Sequence, residues 1–360
     1  MIRIGALLSN PRLALIPALA LALLWASGRL DARTPDQLIA PPQPAPAQRA
    51  ARPARPTAAE ATAERLKLVN ATKSWGYQLV NSKLEELLRS PYDLLVLDAT
   101  TGLANGRHFR REEVSQLRRK PDGGRRLVVS YLSIGEAEDY RPDYFTAEYM
   151  SEDAPDWLLH ENPDWKGNRL IRFCSEGWQK TILGDGDGRS VYNSLDPSPL
   201  YRLIELGFDG VYLDRVDVYE EVGKDCPNAQ ARMVEFVARL AAHARRRNPH
   251  FMVILQNAED LLKQSRVIDA IDAVAKESLF HGWGGGGGSN RQSISDAASV
   301  RWSVERLELA RKAGRAVFVV DYPKDRAAAE VSLRRITELG YVPYVAPKDL
   351  GRLWLPGANF

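Results

Sequence analysis

Several chemistries find little to work with in this chain. Its 360 residues include two cysteines and five histidines. None of the histidines (His108, His160, His243, His250, His281) stands in an HxH or HExxH spacing, so the ligand set of a metallohydrolase is missing. There is no GxSxG elbow for a serine hydrolase, and neither cysteine has an evident histidine partner. A phosphate-cradling glycine turn after the first strand is also lacking, which ranks a dinucleotide-binding doubly wound sheet second among folds. No metal or cofactor is expected. A strong charge of one sign is absent too. The formal charge is +3, and Arg3, Arg12, Arg29, Arg33, Arg49, Arg52 and Arg55 precede the expected folded part. Without a basic stripe and interleaved aromatics, a nucleic-acid partner has no electrostatic support.

Long apolar runs are scarce. The most prominent is Leu13–Ala26, preceded by Arg3 and Arg12 and followed by Ser27 and Gly28. It is short for a full membrane span and suits the apolar heart of a signal peptide. Residues 1–30 are therefore read as a signal peptide or, if uncleaved, an amino-terminal membrane anchor. The expected location is periplasmic or extracellular, with the anchored form held at the inner membrane. Residues 31–62 are rich in Pro and Ala and form a disordered tether. The folded domain is expected at 63–360, as a monomer. Cys174 and Cys226 fit either a disulfide or two thiols.

Eight apolar runs alternate with helical patterns: Trp75–Val80, Asp93–Asp98, Leu127–Ser133, Gly210–Asp214, Met252–Asn257, Ala273–Glu277, Ala316–Asp321 and Tyr341–Val345. That alternation predicts a single α/β domain, a (β/α)8 TIM barrel. A further run, Leu170–Phe173, is assigned to a long insertion between the third and fourth strands.

Acidic residues fall at or just past the strand ends: Asp98, Glu136, Glu138, Asp214, Asp217, Glu259, Glu277 and Asp321. Singly, such residues more often cap the following helix. Together they crowd the face of a barrel where active sites lie. Strand alternation gives Asp214 the face of Tyr212 and Gly210, and Glu277 the face of Ala275 and Ala273, suited to the crowded interior. Two inward carboxylates on nearby strands suit glycosidic hydrolysis. Asn257 lies between them in barrel order. Expected substrate contacts are Asn257, Asp98, Tyr77, Tyr131, Glu136, Trp283, Asp321 and Tyr322, with Trp283 and Tyr322 as sugar platforms. The partner is a polysaccharide, and an acidic cleft favours a cationic sugar. Two rival readings are a non-catalytic carbohydrate-binding barrel of the envelope and a glycosidase of another sugar class.

The stretches SWGYQL, LVVSYLSIGEAEDYR, ENPDWKGN, GFDGVYLDRVD, LQNAEDL, AKESLF and VVDYP resemble the endo-α-1,4-polygalactosaminidase-type glycoside hydrolases of family 114. The likeness runs from about Trp75 to Asp349 and is strongest in SYLSIGEAEDYR and GFDGVYLDRVD. It implies a metal-independent barrel that cuts α-1,4-linked galactosamine polymers internally. The family's catalytic Asp and Glu match Asp214 and Glu277, and its intervening Asn matches Asn257. The scheme assigned is retaining, with Asp214 as nucleophile and Glu277 as acid/base, roughly 5 Å apart. The reverse assignment of roles stays open. Arg215, Val218 and the Gly284–Gly288 loop depart from the family pattern and bear on the substrate.

Overall fold

The eight-strand pattern resolves into eight parallel strands, hydrogen-bonded in chain order. They are β1 (Trp75–Gln78), β2 (Leu94–Leu97), β3 (Leu127–Ser133), β4 (Gly210–Asp214), β5 (Met252–Gln256), β6 (Ala273–Glu277), β7 (Ala316–Asp321) and β8 (Val342–Val345). The computed structural model describes residues 55–102, 106–141, 154–191, 195–283 and 292–355. The expected signal run, most of the tether and Gly284–Gly288 lie outside these residues. Among the described residues no helix is long and apolar enough to cross a membrane.

Strands such as LLVL of β2 are buried along their whole length, as parallel strands covered on both faces are. At the seam between β8 and β1, Trp75 Nε1 donates to the Val342 carbonyl at 3.1 Å. Leu79 and Val80 N–H both donate to the Leu350 carbonyl, at 3.0 and 3.2 Å. These bonds draw the sheet into a (β/α)8 barrel. Aromatics fill much of its interior. Trp75 packs against Phe318 at 5.4 Å and Tyr344 at 5.6 Å, and Tyr77 against Tyr212 at 5.1 Å.

The folded part starts earlier than composition suggested. The helix Ala58–Asn70 begins inside the expected tether, because Thr57 and Glu60 form a capping box. Thr57 N–H donates to Glu60 Oε2 at 2.8 Å, and Glu60 N–H donates to Thr57 Oγ1 at 3.2 Å. Arg65 then carries this helix to the amino-terminal end of the barrel, where it meets buried Asp272 at 2.8 Å. Asp272 also pairs with Arg245 at 2.7 Å and accepts from Val253 N–H at 2.8 Å. Asp209, ahead of β4, is held in the same way by Arg118 at 2.7 Å and Val128 N–H at 2.9 Å.

The insertion between β3 and β4 folds as a small antiparallel sheet, with Asn168–Ile171 between Glu136–Glu138 and Leu158–Glu161. As expected, the run near Leu170 is not a barrel strand. A Cβ on Gly135 would come within 2.1 Å of the Arg215 carbonyl, so only glycine lets the insertion leave β3 this close to the end of β4. Cys174 and Cys226 form a disulfide, with Cα atoms 6.0 Å apart, and tie the insertion to the segment after β4.

Candidate active site

Beyond the carboxyl ends of the strands lies a cleft of about 720 Å³. Tyr77, Tyr131, Glu136, Asp214, Asn257, Glu277 and Tyr322 all line it. The backbone bends sharply where β4, β5 and β6 stop. Arg215, Asn257 and Ser278 follow those strands at once, with φ of 56°, 51° and 59°. Left-handed backbone costs a side-chain-bearing residue roughly 1–2 kcal/mol and persists where the surroundings over-determine it. Here it falls at three adjacent strand ends around the proposed carboxylates.

Register explains why these two carboxyl groups share the interior. Tyr131 pairs with Tyr212 and Ser133 with Asp214, so Asp214 continues the inward row of Tyr212. Glu277 pairs with Val320 and continues the row of Ala275, which pairs with the core residue Phe318. Lys276, one position earlier, turns outward and meets Glu259 at 3.0 Å. Glu259 is thereby taken into the helix layer, where Ser303 Oγ also donates to it at 2.8 Å.

Tyrosines hold both carboxyl groups. Tyr131 Oη lies 2.6 Å from Asp214 Oδ2 and 3.0 Å from Glu138 Oε1. A hydroxyl has one proton, so Tyr131 donates to one of them at a time, and the shorter contact is to Asp214. Tyr322 Oη donates to Glu277 Oε1 at 2.8 Å. Burial raises the Asp214 pKa, opposed by the Tyr131 hydrogen bond and the Arg215 charge. Glu277 is pushed up to about 8, by burial first and by the Asp214 charge second, against the Tyr322 hydrogen bond and Lys276. Two groups that repel each other in one cavity titrate as a pair, and one proton is retained near neutral pH. Asn257 Oδ1 accepts from Glu277 N–H at 3.1 Å, which fixes the end of β6 and turns the amide toward the Glu277 backbone.

Three expected substrate contacts have other roles. Asp321 does not line the cleft. Its chain neighbour Val320 pairs with Glu277 and faces inward, so alternation turns Asp321 outward, where it accepts from Ser332 Oγ at 2.7 Å and Phe280 N–H at 3.1 Å. Asp98 is fully buried and also absent from the lining. It accepts from Thr100 N–H and Oγ1, both at 2.8 Å, and pairs with Arg141, which in turn pairs with Glu138. Glu136 does border the cleft, yet its oxygens are committed to Asn162 and Asn168, both at 2.7 Å, and to Arg215 at 2.9 Å. The Trp283 side chain lies outside the described residues. His281 braces the Asp321 network through Ser332 Oγ at 2.7 Å. Among the described residues no three His, Cys, Asp or Glu groups converge as a metal ion requires.

The lining also includes residues that strand-end reasoning passed over: Trp165, Lys348 and Asp349, from the insertion and from the loop after β8. A tryptophan inside the turn-forming run Asn-Pro-Asp-Trp-Lys-Gly was the available signal.

A parallel barrel with paired carboxyl groups at the carboxyl-terminal mouth has the architecture of a glycoside hydrolase. The model of Glycoside-hydrolase family GH114 matches residues 55–356. The chain belongs to that family. It is 32% identical over 290 residues to an uncharacterized protein of Deinococcus radiodurans, covering 80% of this chain and 84% of that one. An uncharacterized protein of Methanocaldococcus jannaschii is 31% identical over 305 residues, covering 79% and 80%. Among solved structures, the glycoside hydrolase domain of PelA from Pseudomonas aeruginosa superposes with a TM-score of 0.59 at 18% identity, over 78% of this chain and 97% of that domain. At that identity the likeness speaks for the fold.

Proposed function

We propose that this glycosidase cuts amino-sugar polymers internally, at α-1,4-linked galactosamine, using Asp214 and Glu277. One observation carries the reading: the two carboxyl groups line one cavity, each on its own tyrosine, with Glu277 holding its proton to about pH 8. At neutral pH Glu277 donates that proton to the glycosidic oxygen while ionised Asp214 attacks the anomeric carbon. The bond to the leaving sugar breaks and a glycosyl ester forms on Asp214. Glu277, now ionised, takes a proton from water, whose oxygen attacks the same carbon and frees Asp214. Arg215 and Tyr131 favour Asp214 as the ionised partner.

The substrate class rests on charge. Eight carboxyl groups line the cleft (Glu136, Glu138, Asp164, Asp214, Asp217, Glu221, Glu277, Asp349) against three cations (Arg141, Arg215, Lys348). Such a cavity attracts an ammonium-bearing sugar and repels an anionic one. The leader-like run Leu13–Ala26 and the Cys174–Cys226 disulfide support action in the periplasm or outside the cell.

The deciding experiment measures new reducing ends from galactosamine-rich and neutral polysaccharides, with the parent chain and with Asp214→Asn and Glu277→Gln. Release from the galactosamine polymer, lost in both variants, is expected. Tight binding with no release from any polymer would instead make the chain a carbohydrate-binding barrel.

A further inference from the structure

At the tip of the insertion hairpin, Trp165 is 55% exposed and borders the cleft. Exposed indoles can have simple explanations. Trp302, on an outer helix, is covered by the Arg306 guanidinium at 3.9 Å. Trp165 has the Lys348 ammonium at 5.9 Å, near the outer limit of such contacts, and its ring stays open to solvent. The turn that carries it is well braced. Asn162 Nδ2 donates to Glu136 at 2.7 Å, Asp164 N–H to Asn162 Oδ1 at 2.9 Å, and Asn168 N–H to the Trp165 carbonyl at 3.1 Å. A ring presented on a fixed turn loses little freedom when a ligand stacks on it.

Position in the barrel gives the ring its meaning. Lys348 follows β8, which lies four strands from β4 in a ring of eight. Trp165, carried by the insertion between β3 and β4, and Lys348, from the opposite side of the barrel, therefore come together across the mouth. Asp164 and Asp349 line the same cleft beside them. We infer that Trp165 is the platform of a distal sugar subsite, which stacks a pyranose ring of the polymer away from the bond being cut while Asp164 and Asp349 attract its ammonium group. The inference rests on the polymer-cleaving reading and assigns it a second point of grip, so short and long substrates should be told apart by length.

The test uses the full chain carrying Asp214→Asn, titrated with galactosamine oligomers and with the galactosamine dimer and followed by intrinsic tryptophan fluorescence. Adding Trp165→Ala should weaken oligomer binding about tenfold and leave dimer binding unmoved. Trp165→Phe should recover part of the loss, and Trp302→Ala should change nothing. In the otherwise unaltered chain, Trp165→Ala should raise KM on the polymer by a similar factor with kcat retained. Oligomer binding indifferent to Trp165, or an oligomer that fails to bind at all, overturns the subsite. Trp165-dependent binding without any release of reducing ends upholds it and sinks the hydrolase reading. Turnover with no dependence on Trp165 does the reverse.

Discussion

Asp209 and Asp272 stand just ahead of strands β4 and β6 at the lower end of the barrel, while Asp214 and Glu277 close the same strands at the upper end. The lower pair is neutralised. Asp272 holds two guanidinium groups and a backbone N–H, and Asp209 holds the Arg118 and Arg125 guanidinium groups and a backbone N–H. Each upper carboxyl group has a tyrosine hydroxyl as its close side-chain partner, and both have raised pKa values. The same chemical group at the two ends of one strand thus does opposite work. Paired below, it pins the helices and strand starts. Crowded with its own kind above, it stores a proton where a reaction can use it.

Neutralising one group at each end of β6 is the most direct way to break this contrast. Glu277→Gln should abolish reducing-end release by about 10³-fold or more with the fold intact, judged by circular dichroism. Asp272→Asn should act on stability. It leaves buried Arg65 without its full counter-charge, and a loss of about 3–5 kcal/mol is expected in denaturant unfolding, with cleavage by the remaining folded protein little changed. If Asp272→Asn leaves stability untouched, or Glu277→Gln unfolds the chain, the two ends are not divided as described.

A pH series sharpens it further. Glu277 has a folded pKa of about 8, above its unfolded value. Between the ordinary carboxylate range and about pH 8 the folded state therefore binds more protons than the unfolded state, so stability falls as pH rises through that window. Glu277→Gln removes this loss. Its Tm should exceed the parent's at pH 8 by at least about 2 °C and merge with it below about pH 4.5. Asp93, at the lower end, carries the opposite shift. Burial raises it, yet the Lys120 and Lys73 contacts bring its pKa below the usual range. The smallest effect expected is on Tyr322→Phe. Loss of a hydrogen bond that lowers the Glu277 pKa should move the alkaline limb of kcat/KM upward by about one pH unit or less. A downward shift would mean that Tyr322 does not act through the Glu277 carboxylate.

Much of this arrangement was readable from local pattern. Apolar runs and strand-end acids pointed to the barrel, and the alternation in GVYLD and AVAKE turned Asp214 and Glu277 inward, as their registers do. Asp321 defeated the same reasoning. Its strand is apolar on both faces, so nothing in AVFVVD says which parity is interior until Val320 is seen beside Glu277. Asp98 follows its strand at once, but Arg141, forty-three residues later, claims it. Glu136 is claimed by two asparagines and an arginine from separate segments. In each case the deciding partner is remote in sequence.

What the sequence by itself determined, then, is whatever depends on period and composition. These are the eight strands and the acids at their ends. Tertiary structure alone decided which carboxyl groups are neutralised, that Cys174 meets Cys226, and that Trp165 reaches the cleft beside Lys348. The physical reason is range. Backbone preference and alternation act over a few residues, whereas the charge state of a buried carboxyl group is set by whichever partners the fold carries within a few ångströms of it.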